Sequence, residues 1–327
     1  MADVAKLPYV EHFEFCLNSV APAFTVYFIY LLRRPFFHLN LRILLANFSI
    51  GLSALTISRN VILLHDSLKF LSTEVAVAFH IVHNACVFAI MDAAILIAGE
   101  RLVASWIAEK YEKVRKWWIA VGLCLFMWVF NGLLGTEVVR MAFIVYKQAA
   151  STMEEFFVPL LIIFSIVMIL NCIGVVAFFL IHKYNKKCWR RDLQRRLTHR
   201  YQIMENIRTS RQLLVALLFD FIISIYVFGV LMYRLRTSPK DVTLSVLSQI
   251  VDLTCAITSI MMPCLFIRSH PRLKYVANRQ LCKGKARRAV NIFNRTTSVV
   301  PSDRVAITET NIYFSQLEKS WAIDLKK

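Results

Sequence analysis

The residues of this chain whose types and spacing could do chemistry are the few charged and polar side chains set inside long apolar runs. Arg59 lies in the run 41–64 and Asp252 in the run 244–267. An ionised group in hydrocarbon is costly, so each is a site by default and needs a partner. At a rise of about 1.5 Å per residue, Arg59 sits about 8 Å and Asp252 about 12 Å from the same end of the bundle. A buried ion pair is therefore expected, one that holds the bundle together and, in a second reading, borders a ligand pocket. His80, His83 and Asn84 fall at i, i+3 and i+4 and share one helical face. That face reads as a pocket wall or as a set of interhelical hydrogen bonds. Metal binding would need further ligands that the sequence does not place. Asp92 and Asp220 lie at matching depth, about 12–14 Å from the opposite end. Facing each other, they would repel when ionised and form a protonation-linked switch. Separate hydrogen bonds, with Asn47 and Asn131 available, are the simpler expectation. Glu100-Arg101 closes the third run: an acid and a base there can pair with each other or with the next helix, a two-state switch, or can form a solvated helix end. No zinc-ligand spacing, phosphate loop or nucleophile elbow is present, so neither enzymatic activity nor a cofactor is expected.

The elements that must position these groups follow from composition. The chain of 327 residues is 57% hydrophobic and 18% charged, with mean hydropathy +0.55, against roughly 45–50% apolar and about 25% charged in soluble domains. A helical crossing needs about 20 mostly apolar residues. Seven runs meet that length: 13–32, 41–64, 75–98, 117–136, 156–181, 212–233 and 244–267. No barrel-like alternation appears, so an all-α integral membrane bundle of seven helices is expected. The N-terminus shows no cleavable signal peptide, and the first span is expected to act as its own insertion signal. Thirty-one Lys and Arg fall on one side of the bundle and seven on the other, with Arg59 inside a span. The basic side is cytoplasmic by the positive-inside bias, which puts the N-terminus outside and the C-terminus inside. The net charge of +18 is thus explained by anionic lipid rather than nucleic acid.

Ten of those cations lie between His182 and Arg211, in a loop that no bilayer can hold. Tyr201, Glu205 and Arg208 are spaced i, i+4 and i+7, one face of a helix continuing the sixth span, with Arg200 beside them. This face is a docking surface for a partner or a lipid-hugging juxtamembrane helix. Glu100-Arg101 with Ala104, Tyr111 and Glu112, together with Tyr184-Asn185-Lys186 and Leu197, Arg200, Tyr201, Gln202, Glu205, Asn206, Ile207 and Arg208, resembles the nematode serpentine chemoreceptors, the class epsilon family in particular. The sister classes alpha, beta and alpha-beta carry a similar loop cluster. The resemblance implies a G protein-coupled receptor with a small environmental ligand in the outer half of the bundle. It also implies a heterotrimeric G protein docked on Arg200, Tyr201, Glu205, Asn206 and Arg208, at the plasma membrane or ciliary membrane of a sensory neuron.

Two rivals differ in testable ways. A ligand-gated cation channel built from seven-helix subunits would carry the opposite orientation. A structural or trafficking membrane protein would show no ligand-evoked signal. Residues 268–327 form the expected cytoplasmic tail. Leu273, Val276 and Leu281 alternate there with Arg272, Lys274 and Arg279, an amphipathic interfacial helix beginning just after Pro271. Cys282 is a candidate for palmitoylation, a free thiol being the simpler reading. The end of the tail is expected to be poorly ordered.

Overall fold

The computed structural model describes residues 8–34, 36–106, 117–147, 153–191, 197–236 and 242–280. Every described element is helical: α1 Pro8–Leu32, α2 Leu39–Leu68, α3 Thr73–Met91, α4 Ala93–Trp106, α5 Trp117–Lys147, α6 Met153–Arg191, α7 Leu197–Arg236 and α8 Val242–Ser269. A further helix, α9, covers 271–280. Within lipid each backbone N–H and C=O must find its partner in the same segment, which only a helix of these lengths provides. Seven spans are long and apolar enough to cross a membrane, with α3 and α4 forming one of them over Thr73–Trp106. Many of their outward-facing large side chains are exposed, Phe126, Val129, Leu133 and Ile222 among them, as a surface solvated by acyl chains allows.

Contacts divide the chain into two units, Met1–Val276 and Ala277–Lys327. In the first, α1 packs on α2 and α8, α6 on α7, and α7 on α8. The third span changes partners partway along: α3 lies against α2 and α5, and α4 against α6. The change coincides with Asp92, where the helix is interrupted and the Ile95 amide reaches only to the Asp92 carbonyl, at 3.2 Å. Glycines allow both crossings. A Cβ on Gly135 would stand 2.9 Å from the Ile81 carbonyl oxygen, and one on Gly174 only 2.5 Å from the Ile95 nitrogen. Backbones meet there with no side chain between, the close approach that small residues permit in membranes. Elsewhere aromatic rings fill the seams: Phe266 of α8 stacks on Phe28 of α1 at 5.4 Å and meets Phe48 of α2 edge-on at 5.9 Å.

The helices outrun the apolar lengths read from sequence at several ends. α6 continues to Arg191, and α7 begins at Leu197, well before its apolar run. Of the second unit only residues 277–280 are described. Cys282, Leu281 and the tail beyond lie outside the described residues.

Candidate functional site

Three helices bring charges together near the N-terminal end of α1. Arg59 of α2 donates from Nε to Glu14 Oε1 at 2.6 Å and from Nη2 to Asp252 Oδ2 at 2.6 Å, with a longer bond to Glu14 Oε2 at 3.4 Å. The Arg59–Asp252 pair expected from depth therefore forms, but as part of a triad. Glu14 was not among the residues singled out in the sequence. It is fully buried and also accepts from Asn18 Nδ2 at 3.5 Å. Glu14 and Asn18, four residues apart on one face of a mostly apolar helix, are the signal that could have found it. One guanidinium fork thus ties α1, α2 and α8 together. In a low-dielectric setting such a group is strongly destabilised by loss of either partner.

His80, His83 and Asn84 do not converge. His80 is exposed on the bundle surface, and Asn84 turns its amide back to the His80 carbonyl at 2.9 Å. His83 is half-buried, facing the Leu55 carbonyl of α2, and its Nδ1 makes no hydrogen bond. What faces the bundle interior from this stretch is one imidazole rather than a three-residue wall.

The two deep aspartates have different neighbours. Asp92 is fully buried beside Asn131 of α5, and neither oxygen completes a hydrogen bond. Asn47, the other amide considered for it, instead accepts from the Trp128 indole at 2.8 Å. Asp220 of α7, 2% exposed, lines a cavity of about 30 Å³ that also touches Leu52, Ile90, Met91, Ser224 and Cys255. Its Oδ2 has no partner. Ser224 links it to the next helix, donating to the Asp220 carbonyl at 3.0 Å and accepting from Asn171 of α6 at 3.0 Å. A cavity of this size admits about one or two waters.

At the other end of the bundle, Glu100 and Arg101 pair with each other through two bonds, Nε to Oε2 and, at 2.6 Å, Nη2 to Oε1. Both side chains are buried, at 8% and 5% exposure, so this is no solvated helix end. Arg101 Nη1 also reaches Asn206 Oδ1 of α7 at 3.4 Å, and Asn206 Nδ2 returns to the Ala104 carbonyl at 3.4 Å. Ser105, donating to the Arg101 carbonyl at 2.7 Å, accepts from Asn185 of α6 at 2.9 Å. The C-terminal end of α4 is therefore tied to both α6 and α7. Arg208, two residues beyond Asn206, is exposed. The side chains of Arg200, Tyr201 and Glu205 lie outside the described residues. Among the described residues no group of His, Cys, Asp and Glu could hold a metal ion.

A comparison with family models matches residues 66–322, most of the chain, to Sre, the Sre G protein-coupled chemoreceptor family. The matched segment includes Asp92, Glu100, Arg101, Asn206, Asp220 and Asp252, and begins after Glu14 and Arg59. No curated protein matches the chain.

Proposed function

From the premise that the chain belongs to the Sre family of G protein-coupled chemoreceptors, we propose how its parts divide the work of a multi-pass chemosensory receptor. The basic end faces the cytoplasm and the N-terminus lies outside, as thirty-one cations against seven demand. A small environmental molecule binds in the outer half, bordered by Arg59, Asp252 and, from the face read as His80, His83 and Asn84, the His83 imidazole. A heterotrimeric G protein docks at the inner end on Arg200, Tyr201, Glu205, Asn206 and Arg208. We assign the chain to class epsilon, on the cluster from Arg200 to Arg208, and to the plasma membrane of a sensory cell, its cilium included.

The observation that carries this reading is the bridge from Arg101 to Asn206. Arg101 is held by its neighbour Glu100 through two hydrogen bonds, and it reaches Asn206 of α7 at 3.4 Å. A hydrogen bond to a charged group contributes about 1.5–3 kcal/mol at good geometry and less when stretched, so parting α7 from α4 at Asn206 costs little while the Glu100–Arg101 pair stays bonded. A ligand then needs only to favour the parted packing. A difference of about 5.5 kcal/mol carries a two-state equilibrium from 1:99 to 99:1. The Asp220 cavity, with room for waters and not for an odorant, fits a resting packing that a ligand must open.

The test is a screen of volatile and water-soluble compounds on cells expressing the chain with a G-protein reporter. Asn206→Ala should raise ligand-independent signal, and Arg101→Ala should abolish the response to any compound found. An Asn206→Ala receptor indistinguishable from the parent would remove the bridge from the mechanism.

A further inference from the structure

The seam between α8 and α9 turns on a single residue. The His270 amide donates to the Phe266 carbonyl at 3.3 Å and closes the last turn of α8. Its own carbonyl accepts from the Lys274 amide at 2.9 Å, and its Nδ1 accepts from the Leu273 amide at 3.2 Å. Pro271 follows directly, at the first helical position, where no amide hydrogen is needed. His270 is thus the N-cap of α9, a role usually given to Ser, Asp or Asn, whose short side chains reach the same orphan amides.

A short polar cap would have sufficed to start the helix. What a histidine adds is a ring, and this ring is 2% exposed. It meets Phe37 edge-on at 4.6 Å and Phe36 at 6.1 Å, both in the connection between α1 and α2. With Nδ1 an acceptor, the proton resides on Nε2, which makes no hydrogen bond among these rings. Burial, with Arg272 and then Arg208 adding to it, pushes the imidazole down to about 4, so Nδ1 stays free to accept. Arg208 belongs to α7 and to the proposed docking face. Two pieces of the basic end therefore converge on one side chain: the first connection and the start of α9.

We propose that His270 is a positioning residue that couples the α1–α2 connection to the first turn of α9, its Nδ1 capping the helix and its ring clamping Phe36 and Phe37, so that the two move as one piece. The two contacts are separable by chemistry. Asparagine keeps an acceptor for the Leu273 amide and has no ring; phenylalanine keeps the ring and has no acceptor. The coupling rests on the geometry alone. Its consequence for a docked G protein rests on the function proposed above.

Hydrogen exchange of the full chain in lipid nanodiscs, read by mass spectrometry, tests it without ligand or transducer. A lost cap should speed exchange over the first turn of α9 about tenfold. That acceleration is expected in His270→Phe and His270→Ala and not in His270→Asn. Exchange around Phe36 and Phe37 should accelerate in His270→Asn and His270→Ala and stay slow in His270→Phe. Identical behaviour of the Asn and Ala variants over α9 would overturn the cap. Unchanged exchange at 36–37 in the Asn variant would overturn the clamp. Faster exchange through the whole bundle in all three would make His270 a residue of the fold at large and overturn the proposal. None of these results bears on the docking face, which the Arg101 and Asn206 variants test separately.

Discussion

At the residue scale, the decisive arrangements are those in which a buried charge has either one partner too many or none. Arg59 answers two carboxylates, one of them fully buried. Arg59→Met should destabilise the protein by about 3–5 kcal/mol, because it removes the guanidinium that buried Glu14 shares with Asp252. The triple replacement Glu14→Gln, Arg59→Met, Asp252→Asn should recover most of that loss, and thermal unfolding in detergent measures both. A second residue-scale outcome concerns pH. His270, about 6.5 when unfolded and about 4 here, binds its proton more readily in the unfolded chain. Its contribution is intact above pH 6.5 and drains away as pH falls toward 4, by about 3 kcal/mol in all. The His270→Asn variant should lack that slope when stability is followed from pH 7 to 4. Arg59 and Asp252 were legible in the sequence because depth along a helix is simple arithmetic. Asp92 and Asp220 show what depth leaves out: nearly all-apolar helices carry no marker of which way a side chain faces, so equal depth did not name the neighbours of either. Glu14 sat too near the start of its run for the same arithmetic to mark it as buried.

At the scale of elements, the seven crossings were readable because a bilayer imposes its thickness on the apolar runs. The polar ends were not, since the continuation of α6 to Arg191 and the start of α7 at Leu197 lie in charged sequence where no apolar length signals a helix. Nor was the exchange of partners along the third span, which depends on glycines of other helices. Gly174 makes the prediction at this scale. A methyl group there meets the α4 backbone at 2.5 Å, whereas one on Gly99 meets nothing within 4 Å. Gly174→Ala should cost about 1–3 kcal/mol, backbone being unable to yield as a side chain would. Gly99→Ala should be neutral to slightly stabilising, since alanine is the better helix former. A comparison of the two melting temperatures checks both.

For the whole molecule, the family places most of the chain, while sidedness rests on charge. An epitope beside Trp189 should be labelled only after cells are permeabilised, and labelling of intact cells would reverse the bundle and end the docking proposal. The placement of the Arg59 triad has a further consequence, for biogenesis. Glu14 is made first, Arg59 some forty-five residues later, and Asp252 only when the last span leaves the ribosome. Until then the newborn chain holds an ionic knot that is only partly tied, and the membrane offers no water to complete it. Chains terminated short of the final helix therefore keep the Glu14 half of the fork and lack the Asp252 half, and the lifetime of an Asp252→Asn chain in cells against the parent measures how much the late partner matters to a newly made protein.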